Sequence, residues 1–576
     1  MIPTTSIRRG SWFATTACAA VLAAASSFGI AHAGADQSAQ TVQSGPRVAA
    51  RRLSEDQYRQ AIADVFGPTI KVGGRFEPEI RRDGLLATGA GQVSVTASGL
   101  EQYDAMAHDI AEQVVSEKHR GTLLPCKPAD VKAPDDACAS KFLSEVGFLL
   151  YRRPLTTEEL NARTKVAADT AQSLHSFYDG LAESLATVLE SPKFLFLKQG
   201  AEADPEHPGQ FRLDAYSRAT QLSLFLWNAL PDKELLDAAR DGSLQTERGL
   251  SAQTERLMSS PRLERGVRAV FSDMLGFDEF STLSKDPVLY PKFTLKVVED
   301  AREQTLRTIV DHLLVRKGDY RDLFTTPNTF LTTRLGSVYG VPVASRSGWP
   351  DAWTPYVYAK DDPRAGILSQ ISFVALHAHP GRSSPTLRGK ALRELVLCQK
   401  VPSPPPNVDF KLLQDVKNPQ FKTTRDRLTA HRTAPTCAGC HKIMDPIGLA
   451  MENFDADGGY RTSENGVSID ATGELDGMKF DSPYGLAKAV HDDPAATACV
   501  LQRVYEYAQG RPLGKADAPI TKGLADDFAS NGYQFPALLR KIALSDALYA
   551  VPRMDLSLNL PQAGQAPGST PNVENR

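Results

Sequence analysis

Neither sign of charge dominates this chain of 576 residues. Its 65 lysines and arginines face 68 aspartates and glutamates, for a net charge of -3. Without a basic excess there is no electrostatic footprint for nucleic acid. Beyond the amino-terminal stretch no run is long and apolar enough to span a bilayer. There is no repeat of fixed period, no nucleophile elbow, no phosphate-cradling glycine loop and no H-E-x-x-H. Strand signals are few: "TPYVYAK" and "NGVSIDATGEL" are the short candidates. Cysteine (7) and histidine (11) are scarce, so a chance C-x-x-C-H is expected in roughly a few chains in a thousand at most. What is present is an ordinary globular composition, 42% hydrophobic and 23% charged, which excludes a disordered or fibrous class.

The first residues read as a secretory signal. Arg8 and Arg9 form a positive region, "WFATTACAAVLAAASSFGIAHA" follows, and Ala31-His32-Ala33 is an A-x-A cleavage pattern. Small and hydroxyl residues dilute the run, which argues against a membrane anchor. Removing residues 1–33 takes two arginines and no acids, so the mature chain is slightly more negative. The expected product is exported, periplasmic or secreted, with no transmembrane anchor after cleavage. Export permits disulfides. Cys126 and Cys138 flank the loop "KPADVKAPDDA"; if they close it and Cys437 and Cys440 are used otherwise, Cys398 and Cys499 pair at long range. Connectivity is not dictated by sequence, so both pairings stand as expectations.

The expected fold is mainly α: a multi-module helical protein with a cytochrome c-like haem segment in its C-terminal half and few short strands. A polar linker, expected disordered, covers 34–47. A first helical module covers 48–120, where Ser54 with Gln57, and Ser98 with Glu101, have capping-box spacing. A second covers 126–200, with helices on either side of Arg152-Arg153-Pro154 and Thr156 capping the later one. A larger helical module covers 208–342, broken at Pro231 and irregular around 286–291. A module bearing C-x-x-C-H covers 360–465, and a helical C-terminal module covers 470–552. The prolines 402, 404, 405 and 406 predict a polyproline II strap rather than a peptide ligand. The tail, 559–576, is polar and rich in Pro and Gly, hence expected to be disordered.

The chemistry concentrates in "TAPTCAGCHKIMDPIG". Cysteines at i and i+3 lie on one side of a helical turn, where each thiol can reach one vinyl group of the same porphyrin. The next histidine can then bind the iron. Cys437 and Cys440 are therefore the candidate covalent attachment points of one haem c, and His441 its axial iron ligand. A zinc knuckle would need a fourth ligand that does not stand out. A thioredoxin-like pair would need a βαβ setting; a plain disulfide is the remaining alternative. For the opposite face of the iron, Met444 is too close to His441. Met478, in the glycine-flanked "GELDGMKFD", is the tentative ligand. His431, Met451 and an open or water-bound site remain alternatives. Methionine would raise the potential and histidine lower it.

Asp445, Glu452, Asp455 and Asp457 form an acidic cluster closed by Arg461, which is either part of a salt-bridge network or a partner for a haem propionate. A calcium loop is not supported, because the other ligand positions do not match. Pro446 is expected to end a helix begun at Cys437. His377 and His379 would face one way on a strand, but no third metal ligand accompanies them.

At these residues the chain resembles a known family. "TAPTCAGCHKIMDPIGLAMENFDADGGYR" is similar to the haem-bearing segment of the planctomycete-type multi-domain c-type cytochromes, exported proteins that string together domains of unknown function. "RRLSEDQYRQAIADVFG", "YRRPLTTEEL" with "LESPKFLFL", "SLFLWNALPDKELLDAA" through "VYGVP", "GILSQISFVALHAHPGRSSPTLRGKALRELVLCQKVPSPPPNVD", and "VYEYAQGRPLG" resemble its successive modules. The resemblance implies that Cys437, Cys440 and His441 are the haem residues, and it favours the Cys398–Cys499 pairing. It implies no substrate. The chain lacks the M-P-P-type loop of small cytochromes, which argues against a simple methionine-ligated carrier. Three functions are then open: redox or electron transfer with an unidentified redox partner or substrate, coupled to a periplasmic oxidation; haem-dependent catalysis of a peroxidase or oxygenase type on a polymer or small organic molecule; or a non-enzymatic binding protein with a structural haem.

Overall fold

The computed structural model describes residues 50–344, 349, 351–360, 362–403, 411–433 and 435–551, with the backbone alone at 435 and 436. The expected signal segment, the polar linker, the prolines 404–406 and the tail lie outside the described residues. The described chain is mainly α-helical, with short strands in two- and three-stranded sheets. No helix among the described residues is long and apolar enough to cross a membrane.

Local signals start the helices. Ser54 and Gln57 form a reciprocal capping box on the helix Glu55–Phe66, and Thr156 with Glu159 does the same for Thr157–Leu174. The helix Ala97–Val115 starts earlier than Ser98 suggested. Thr96 is its cap, accepting from Gly99 N. Arg152 has φ 59, a left-handed turn between helices Asp136–Leu150 and Thr157–Leu174. Its buried guanidinium donates to the carbonyls of Leu150, Lys193, Phe194 and Phe196, so the turn is locked from inside.

The modules read from the sequence assemble into two hydrophobic cores. One gathers buried residues between Leu53 and Leu197, joined by Leu224 and Leu230. The other takes in Leu85, then runs from Leu213 to Val551 and includes Ile447, Met451 and Phe454 of the C-x-x-C-H region. Strand pairs close both ends. Arg51–Arg52 pairs antiparallel with Phe196–Leu197, and Ala550–Val551 pairs antiparallel with Phe211–Leu213. At the centre of the larger core the helix Ala215–Trp227 is buried on every side from Ser217 to Trp227. Trp227 Nε1 donates to Leu257 O (2.9 Å), and the Arg262 guanidinium lies 4.6 Å from its ring.

Both expected disulfides are present. Cys126–Cys138 closes a local loop, and Cys398–Cys499 ties the C-x-x-C-H region to the helix Pro494–Gln509. The strand candidates form in part: Thr354–Val357 pairs with Asn328–Leu331, while the second candidate splits between the hairpins Ser463–Ser468 and Gly473–Phe480.

Candidate haem-attachment site

The C-x-x-C-H sequence lies on the helix Pro435–Leu449. That helix does not end at Pro446, as the sequence predicted. Proline removes one backbone donor, but tertiary contact holds the last turn in place. A Cβ on Gly448 would fall closer than 3.0 Å to Pro385 O, and one on Gly389 would do the same against Met444 O. The helices Pro385–Ala391 and Pro435–Leu449 therefore touch backbone to backbone, through a glycine on each.

This packing seats the histidine. His441 is buried at 8% exposure, and its Nδ1 lies 3.0 and 2.9 Å from the two carboxylate oxygens of Asp445, one turn on, which is 0% exposed. Thr386 Oγ1, on the neighbouring helix, donates to Asp445 Oδ1 (2.9 Å). Among the described residues the hydrogen bonds of the His441 ring run through Nδ1, on the side away from Nε2, the atom that would face a metal. Cys437 and Cys440 are partly buried and take no part in either disulfide. The donor set fits a covalent c-type haem: two thiols a turn apart, then an imidazole whose tautomer is set by a carboxylate, the usual outer partner of a metal-bound histidine. Among the described residues no group of three or more His, Cys, Asp or Glu is arranged to hold a bare metal ion.

The other candidates fall in different places. His431 ends the helix Thr424–His431, and its ring packs against that of His441 with centroids 5.0 Å apart and planes at 72°. Met478 follows the turn Asp476-Gly477 of its hairpin and is 36% exposed. Met444 and Met451 are buried core residues. Arg461 turns inward: it donates to Glu452 O (3.0 Å), Glu452 Oε2 (3.1 Å) and Ser383 Oγ (2.9 Å), with Asp455 3.4 Å away. Burial raises the Glu452 carboxyl above the usual range, against the pull of Arg461 and Arg388.

His377 and His379 are not on a strand. His377 caps the helix Ile371–Leu376, and His379 bridges Arg382. Burial, reinforced by Arg388, Lys390 and Lys285, lowers the His377 imidazole to about 3. Burial and then Arg382 and Lys285 lower His379 to about 4.

Two residues escaped the sequence reading. Arg388 is fully buried and donates to the carbonyls of Val374, Met451, Phe454 and Asp455, so it fixes the chain just beyond the C-x-x-C-H helix. Asp445 was visible only as one acid of a cluster. Its i,i+4 spacing from His441 was the available signal.

A cleft of about 770 Å³ lies elsewhere among the described residues. Arg51, Phe76, Glu79, Asn228, Asp273 and Tyr507 are among the residues that line it, and none of its lining comes from residues 364–464.

Five family models match the chain in sequence order, each described as a protein of unknown function. They are DUF1587 over residues 51–116, DUF1595 over 138–198, DUF1592 over 213–341, DUF1588 over 364–464 and DUF1585 over 476–548. The DUF1588 model carries the cytochrome-type label PSCyt3, and its span contains the C-x-x-C-H helix. No curated protein matches the chain. No solved structure matches it either. Fold and site together define a multi-module, mainly α-helical protein with a C-x-x-C-H helix seated in its larger core. The chain belongs to the planctomycete-type multi-domain family in which these five domains of unknown function follow one another.

Proposed function

We propose that this is an exported c-type haem protein that carries one covalent haem and acts in redox or electron transfer, coupled to a periplasmic oxidation. Cys437 and Cys440 would hold the haem through thioethers, and His441 would bind the iron through Nε2. The observation that carries the reading is the pair His441–Asp445: a buried imidazole with Nδ1 given to a carboxylate, one residue past two cysteines outside the disulfides. The haem would supply a one-electron ferric/ferrous couple. The chain's own residues hold the imidazole tautomer, bury the ligand and keep its helix against Pro385–Ala391. The A-x-A pattern at 31–33 and the two disulfides support export, because disulfides persist in oxidising compartments.

The test is expression with haem c maturation machinery, followed by a denaturing gel stained for haem and a pyridine haemochrome spectrum. A haem signal that survives denaturation in the wild type and disappears in Cys437→Ala/Cys440→Ala is the expected result. Correctly exported wild type without a Soret band would refute the reading.

A further inference from the structure

We infer that Asp445 is a positioning residue that turns His441 into a strongly electron-donating ligand and so biases the iron toward the ferric state. The inference rests on the haem reading above. It starts from the environment of the carboxylate. Asp445 is 0% exposed, and among the described residues its partners are His441 Nδ1 and Thr386 Oγ1 alone. No lysine or arginine pairs with it. The imidazole and one hydroxyl are thus the donors that this buried carboxyl group meets.

The geometry leaves little freedom in how that happens. Both residues are on one helix at i and i+4, so their approach is set by helical backbone rather than by a loop. The glycine contacts with Pro385–Ala391 hold that helix in place and bring Thr386 to Oδ1 of the carboxyl group. With Nε2 given to an iron, Nδ1 would keep its proton and donate it to the two carboxylate oxygens 2.9 and 3.0 Å away. Such a partner raises the basicity of the ligand more than a neutral carbonyl would. A more basic ligand favours the more highly charged metal state. Thr386 works the other way: by donating to Oδ1 it draws charge off the carboxylate and moderates the effect.

These opposed roles make the inference testable by equilibrium redox titration of the matured, haem-loaded full chain. Asp445→Asn is expected to shift the ferric/ferrous ratio at a fixed potential at least tenfold toward ferrous, which for one electron is a rise of 59 mV. Thr386→Val, which removes the donor to the carboxylate, is expected to shift the ratio toward ferric. A merely structural disturbance would not give opposite signs. Haem attachment is measured first by pyridine haemochrome. Absence of haem in the wild type refutes the haem reading and this inference with it. Haem present, with both variants within twofold of wild type or displaced in the same direction, refutes the role of Asp445 alone. If Asp445→Asn fails to retain haem, the sign of the Thr386→Val shift decides.

Discussion

Replacing Gly448 by alanine puts a methyl group into the backbone of the neighbouring helix. The added Cβ would lie closer than 3.0 Å to Pro385 O and also to its carbonyl carbon and Cα. None of these atoms can rotate away, so the helices must separate. Overpacking typically costs 1–3 kcal/mol, and the backbone obstruction puts this case near the upper end, about 3 kcal/mol. Gly439, on the same helix, is the internal control. A Cβ there meets nothing within 4 Å, and the residue is exposed. Alanine in place of glycine inside an exposed helix is worth about 1 kcal/mol in the stabilising direction. The same substitution, nine residues apart on one helix, should therefore differ by about 4 kcal/mol, with opposite signs. Urea unfolding of the matured protein, followed by far-ultraviolet circular dichroism, measures both. On the proposed haem function, Gly448→Ala should also lower the haem content of purified protein, since His441 moves with the helix. Two variants of equal stability, or a stabilising Gly448→Ala, would show that the close approach of the two helices is not what seats the site.

Three further outcomes follow from the same structure. Removing Cys398–Cys499, which spans 101 residues, should cost about 4.7 kcal/mol against about 3 for Cys126–Cys138, which spans 12; denaturant unfolding of the two double-serine variants checks the order, and a reversed order rejects the loop-closure argument. Arg388→Met leaves four carbonyl groups without their donor and removes one of the two cations beside the buried Glu452, so a loss of about 3–5 kcal/mol is expected; a variant as stable as wild type in urea would contradict this. His377 is held neutral, its imidazole lowered to about 3 by burial, so the unfolded chain takes up a proton at higher pH than the folded one. Its contribution to stability is thus complete above the ordinary imidazole range and is lost as pH falls toward 3. The slope approaches about 1.4 kcal/mol per pH unit. His377→Phe should flatten the stability profile of the full chain between about pH 6 and 4, and an unchanged slope there would refute the assignment.

Much of the local structure was legible in the residues. Ser54 with Gln57 and Thr156 with Glu159 announced helix starts, because a capping box involves only neighbours within one turn. Thr96 and Ser98 both offer a hydroxyl, and only the actual course of the chain selects Thr96 as the cap. Pro446 was read as a helix end because sequence shows the missing donor but not Pro385 O pressing on Gly448. The pair His377 and His379 suggests a strand face, yet the chain turns there after a short helix, and burial, helped by Arg388 at His377 and by Arg382 at His379, keeps both rings neutral.

The sequence by itself determined the helical character of the chain, the order of its modules and the C-x-x-C-H element. Those depend on spacing over a few residues, where helix periodicity and side-chain reach are fixed by covalent geometry. Tertiary structure alone decided that the modules share two cores, that Arg388 ties the chain beyond the C-x-x-C-H helix, and that Thr386 and Asp445 stand behind His441. Each of those contacts joins residues distant in sequence, or selects one partner among several equally polar neighbours. Close packing makes that selection, through the space it leaves and the charges it buries.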